Sequence, residues 1–86
     1  MKNDEVIEAF IAGRKGANSR KSLRSDGYRL WSYNLCIAIR RGPEMAVGNY
    51  TASGSYYSQT TSKHVKLAER MSGEPAMHPI MFSMIK

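Results

Sequence analysis

The sequence predicts an α+β domain: a small antiparallel sheet of two to four strands, packed by an N-terminal helix and a helix near residues 61–72. Three observations carry that expectation. Apolar residues recur at helical spacing in residues 4–12 and again in 61–72. Between them, Tyr28, Leu30, Trp31, Tyr33, Leu35, Ile37 and Ile39 suit a pleated, half-buried surface. The chain has 86 residues, enough for one thin core, since a domain of that size buries roughly 60–65% of its unfolded surface. One domain spanning 1–86 follows, and a two-domain enzyme with a deep interdomain cleft is excluded.

The first helix is expected over residues 4–12. Asn3 or Asp4 can cap it, because their side-chain oxygens accept from the free amides of the first turn. Asp4, Glu5 and Glu8 lie toward the positive end of the helix dipole. Val6, Ile7, Phe10 and Ile11 form one apolar face, and Gly13 is a natural stop. Residues 14–27 then read as a basic, flexible connection rich in Gly and Ser, closing on the turn signal Ser25-Asp26-Gly27.

A two- or three-stranded meander is expected between residues 28 and 58. Strict alternation would point Leu35, Ile37 and Ile39 one way and Cys36, Ala38 and Arg40 the other. Gly42-Pro43-Glu44 turns the chain, and Met45-Ala46-Val47 returns it. Gly48, Gly54 and the hydroxyl residues between them suggest a bulge or irregular connection. In the second helix His64, Leu67, Ala68 and Met71 recur at i, i+3, i+4 and i+7, with Thr60, Thr61 and Ser62 as competent caps and Gly73 before Pro75 as the stop. The apolar tail, residues 76–86, is expected to pack on the sheet with a strand at Ile80–Met84.

Charge is unevenly placed. The formal net charge is +6, from 13 Lys and Arg against 7 Asp and Glu. Residues 14–41 hold Arg14, Lys15, Arg20, Lys21, Arg24, Arg29, Arg40 and Arg41 against Asp26 alone, a net of +7. Such a field attracts polyanions: nucleic acid, an acidic protein face or anionic lipid. A lipid-seeking amphipathic helix is disfavoured because glycine and serine break up this stretch. At 42% hydrophobic and 9% aromatic residues the chain is too apolar for intrinsic disorder. The lone Cys36 and the acidic start Asn3-Asp4-Glu5 point to a cytoplasmic setting without disulfides, and no apolar run approaches the ~20 residues of a membrane span.

Chemistry-bearing patterns are sparse. A nucleophile pair would need Cys36 beside His64, with a third group to orient the imidazole; a cysteine in an apolar strand is more commonly a small buried hydrophobe. One cysteine and two histidines lack zinc-ligand spacing, and the seven glycines form neither a dinucleotide fingerprint nor a P-loop. No enzyme activity, cofactor, metal or small-molecule substrate is therefore expected. Thr60-Thr61-Ser62-Lys63-His64 sets hydroxyls and a cation at a helix start, where phosphate can bind the free amides. The simpler alternative is that Thr61 or Ser62 caps the helix while His64 packs and donates one hydrogen bond. Exposed rings among Tyr28, Trp31, Tyr33, Tyr50, Tyr56 and Tyr57 could stack on unpaired bases, although most must build the core.

Leu30-Trp31-Ser32-Tyr33, Ile37-Ala38, Arg40-Arg41, Asn49 and Tyr57-Ser58-Gln59-Thr60-Thr61-Ser62-Lys63-His64 together resemble a group of small uncharacterised proteins of tailed bacteriophages. In these a Ser-Tyr strand leads through an Ile-Ala strand to a Tyr-Ser-x-Thr-Thr-Ser-Lys/Arg-His segment. The likeness covers residues 24–65 and departs between Asn49 and Tyr57, where this chain is longer. It implies a phage origin and a small α+β fold, and supplies no catalytic residue. The expected function is a non-enzymatic, basic binding protein that engages nucleic acid or a nucleic-acid machine of the host. Its contact residues would be Arg14, Lys15, Arg20, Lys21, Arg24, Arg29, Arg40, Arg41, Lys63 and His64. The alternatives are an inhibitor of a host defence or replication protein, of anti-CRISPR or anti-restriction type, and a minor virion part.

Overall fold

The computed structural model describes residues 1–51 and 58–86. Its elements are α1 (Asn3–Ile11), β1 (Lys15–Ala17), β2 (Leu23–Asp26), β3 (Arg29–Ser32), β4 (Leu35–Arg41), β5 (Glu44–Val47), α2 (Gln59–Ser72) and α3 (Pro79–Ile85). The strands make one antiparallel sheet in the order β1-β2-β3-β4-β5. The α+β class holds, with five strands in place of two to four. The irregular connection expected between Gly48 and Gly54 falls largely on residues 52–57, outside the described residues.

The additional strands lie in the segment read as a flexible connection. Residues 14–27 instead hold β1 and β2, because two of their serines are buried and bonded. Leu23 and Ser25 face the core while Arg24 is exposed and Asp26 half-buried, a period-2 pattern. Ser25 Oγ donates to the Arg14 carbonyl at 2.8 Å, tying β2 to the end of α1. Asn18 closes the hairpin: its Oδ1 accepts from the amides of Ser22 and Leu23, and its Nδ2 donates to Ser22 Oγ and Asn3 Oδ1.

Cross-strand partners share a face, so the register sorts the side chains. One face carries Gly16, Ser25, Leu23, Leu30, Ser32, Ala38, Arg40, Met45 and Val47; the other carries Lys15, Ala17, Arg24, Asp26, Arg29, Trp31, Cys36, Ile39, Arg41, Glu44 and Ala46. The strict alternation expected along β4 fails. Trp31 pairs with Cys36 but Leu30 with Ala38, which leaves Ile37 unpaired in a bulge. Cys36 and Ala38 consequently project to opposite faces.

Helices α1 and α2 cover the first face. Val6, Ile7, Ala9 and Phe10 of α1 are buried there, as are Thr61, His64, Val65 and Ala68 of α2. The amide of Lys2 donates to Glu5 Oε1 at 2.7 Å ahead of α1. Ser58, earlier than the expected Thr60 to Ser62, caps α2 by accepting from the Thr61 amide, and Gly73 ends it in the left-handed region at φ 74°.

The tail forms α3, where a strand was expected. Pro79 sits in its first turn with φ preset, and His78 Nδ1 accepts from the Ile80 amide. Arg41, on the second face, donates to the Ile85 carbonyl at 2.8 Å, so the end of α3 reaches the β4–β5 end of that face. Phe82 is fully buried and meets Tyr50 edge-on, with ring centroids 5.9 Å apart. Just before α3, Met77 bridges to Gly48 beside β5, donating to the Val47 carbonyl and accepting from the Asn49 amide. No helix among the described residues is long and apolar enough to cross a membrane.

Candidate nucleic-acid interface

Folding splits the basic run of the sequence between two ends of the sheet. The β2–β3 and β4–β5 turns lie at one end, with Lys15, Arg29, Arg40 and Arg41. The β1–β2 hairpin and the start of α2 lie at the other, with Arg20, Lys21 and Lys63. Five residues of extended chain, roughly 16 Å, separate Lys21 from Asp26. Between the ends Arg24 lies over the half-buried Trp31, its guanidinium carbon 5.1 Å from the ring centroid.

At the first end, Tyr28, Arg29, Ile39, Arg40, Arg41 and Lys86 line a groove of about 200 Å³. No Asp or Glu is among its described lining residues. Of Asp26 and Glu44, the carboxylates that the strand register puts on this sheet face, Asp26 is engaged nearby. Burial tends to raise the Asp26 pKa, but hydrogen bonds from the amides of Arg29 and Tyr28 and from the Trp31 indole, with the Arg29 charge, hold it below the usual value. Glu44 pairs in register with Arg41 and lines an adjoining groove with Met45 and Ile85. The phenol of Tyr28 stands 68% exposed at the rim. Lys86 holds its ammonium 5.7 Å from the Tyr50 ring centroid and 6.0 Å from that of Phe82.

Arg40 serves the fold rather than a partner. It projects toward α1, and a Cβ on Gly13 would collide with its guanidinium. Gly13 has φ +75°, in the left-handed region that favours glycine. The Arg40 charge thereby sits at the C-terminal, negative end of α1, and its Nη1 donates to the Gly42 carbonyl at 2.6 Å.

His64, proposed above as a contact residue, is only 1% exposed. Its Nδ1 lies 2.7 Å from Ser32 Oγ, which lies 3.0 Å from Thr61 Oγ1. Ser58 Oγ donates to Thr61 Oγ1, so a chain of hydroxyls, Ser58, Thr61 and Ser32, leads to His64 Nδ1. Burial pushes the His64 pKa down, in keeping with a neutral ring. Ser32 is equally sealed, so this dyad packs a helix onto a strand and offers no nucleophile to a substrate. Cys36 lies on the other sheet face from Ser32 and its partner His64, which disposes of a Cys36–His64 pair. Burial raises the Cys36 thiol pKa. Among the described residues no group of three His, Cys, Asp or Glu could hold a metal ion.

No family model, curated protein or solved structure matches this chain. The site must be read from its own geometry. Of the residues nominated from sequence, the fold gathers Arg29, Arg40 and Arg41 at one groove, sets Lys15 and Arg24 on the same sheet face as Arg29 and Arg41, and sends Arg20, Lys21 and Lys63 elsewhere. Arg14, exposed, leads from α1 into β1. Arg20 shares a polar hollow with Lys2, Asn18 and Thr60. Sequence reasoning offered Tyr28 among the rings that could stack on a base, and did not nominate Ile39 or Lys86 for this site. Tyr28 had a signal, an aromatic beside an arginine in a turn; Lys86 had none, because its place depends on how α3 docks.

Proposed function

We propose that this chain is a non-enzymatic binding protein that engages nucleic acid with the second face of its sheet. The groove that Arg29, Arg41 and Lys86 line, with no Asp or Glu among its described lining residues, carries the reading. Lys15 and Arg24 extend the positive surface along the same face. A phosphate backbone is the natural counterpart of several fixed cations beside exposed rings. The resemblance to small phage proteins adds a setting: nucleic acid, or a nucleoprotein of the infected host, in the cytoplasm.

Fluorescence anisotropy with a labelled oligonucleotide across a salt series tests this. Log K should fall linearly with log salt, by about 0.7–0.9 per phosphate neutralised. Arg29→Glu combined with Lys15→Glu should weaken binding far more than Arg20→Glu combined with Lys21→Glu. A flat salt response, or unaltered binding by the first pair, refutes the proposal.

One observation favours a second reading, inhibition of a host protein. Ile80, Met81 and Met84 of α3 are 66%, 59% and 76% exposed, and methionines suit an adaptable apolar contact. A pull-down from host lysate with and without nuclease separates the two: a partner retained after nuclease supports the inhibitor, and loss of every partner supports nucleic acid.

A further inference from the structure

The geometry points to a single-stranded ligand: the groove between Tyr28 and Lys86 seats one unpaired nucleotide, its base on the Tyr28 ring and its phosphate between Arg29 and Arg41. This rests on the nucleic-acid reading above and narrows it.

The groove combines features that a phosphate alone would not use. Its rim is cationic, yet Ile39 contributes an apolar surface and the Tyr28 ring stands exposed at its mouth. A flat, partly apolar group joined to an anion satisfies all of these, and a nucleotide is such a group. Arg29 pairs with Ile39, and Arg41 lies two residues further along β4, so the two are diagonal neighbours on one face. Diagonal positions lie roughly 7–8 Å apart, close enough for two long side chains to converge on one phosphate. A duplex keeps its bases stacked inside and would leave the Tyr28 ring without a partner. A single strand can turn a base out onto an aromatic side chain, and beyond the groove it would meet the Arg24–Trp31 stack on the same face.

The test compares a mixed-sequence 12-nucleotide strand with the same strand annealed to its complement, at low and high salt. The single strand should bind more tightly. Tyr28→Ala should weaken single-strand binding roughly 5- to 150-fold, the range one stacked base supplies, and leave duplex binding within about twofold; Tyr28→Phe should retain strand affinity. Because Tyr28 is largely exposed, the alanine variant should fold, and its duplex affinity serves as the internal control. Equal or tighter duplex binding, or a Tyr28→Ala variant that binds single strands normally, overturns the single-strand inference and leaves the nucleic-acid reading standing. Failure to bind either form overturns both.

Discussion

Removing one hydroxyl from the core should loosen the joint between sheet and helix. Ser32→Ala deletes the bridge between His64 Nδ1, 2.7 Å away, and Thr61 Oγ1, 3.0 Å away, at a site 1% exposed. Thr61 keeps its bond from Ser58, whereas Nδ1 loses the partner that the described network provides. A buried polar atom stripped of its partner costs about 1–3 kcal/mol, and about 2 kcal/mol is expected here. For a domain of this size that lowers Tm by about 8–16 °C. Urea and thermal unfolding followed by circular dichroism measure it. A change under 0.5 kcal/mol would refute the view that this network pins α2 to β3. The same network sets a pH dependence. His64 titrates lower when folded than its ordinary 6.5, so the unfolded chain takes up the proton first. Its contribution is complete above pH 6.5 and is lost as pH falls from there through the folded value. His64→Gln should flatten the stability profile across that window, and an unchanged slope contradicts the assignment.

Two further outcomes are expected. Gly48→Ala would place a Cβ 2.5 Å from Tyr50 Cε2 and 2.8 Å from Phe82 Cδ2, so overpacking should cost about 1–3 kcal/mol in urea unfolding. Cys36 is buried with its thiol pKa raised, so iodoacetamide should label it slowly in the native protein and rapidly in denaturant, as mass spectrometry would show.

Helices α1 and α2 were legible because each has its own periodic face: Val6, Ile7 and Phe10 in α1, and His64, Ala68 and Val65 in α2, lie where spacing put them. β1 and β2 were hidden by their composition. Ser22 and Ser25 look like linker residues until Asn18 and the Arg14 carbonyl are seen to satisfy them. The bulge at Ile37 was invisible because it belongs to the pairing of two strands, not to either alone. The tail's density of Met and Ile resembles a strand as much as a helix, and the His78–Pro79 cap decides the matter. For the candidate site, the identity of the cations was readable and their grouping was not. A hairpin folded inside the basic run carries Arg20 and Lys21 away from Arg29, and alternation along β4 separates Arg40 from Arg41.

The uninterrupted order of the sheet bears on how the molecule assembles. Each strand's neighbour is the next stretch of chain, so the meander can zip up hairpin by hairpin, closing only short loops. Longer closures bring Thr61 and His64 back to Ser32, across 29 and 32 residues, and Ile85 to Arg41, across 44. A polar latch such as the first cannot be satisfied by generic collapse, so it closes only when the second helix docks in its native register.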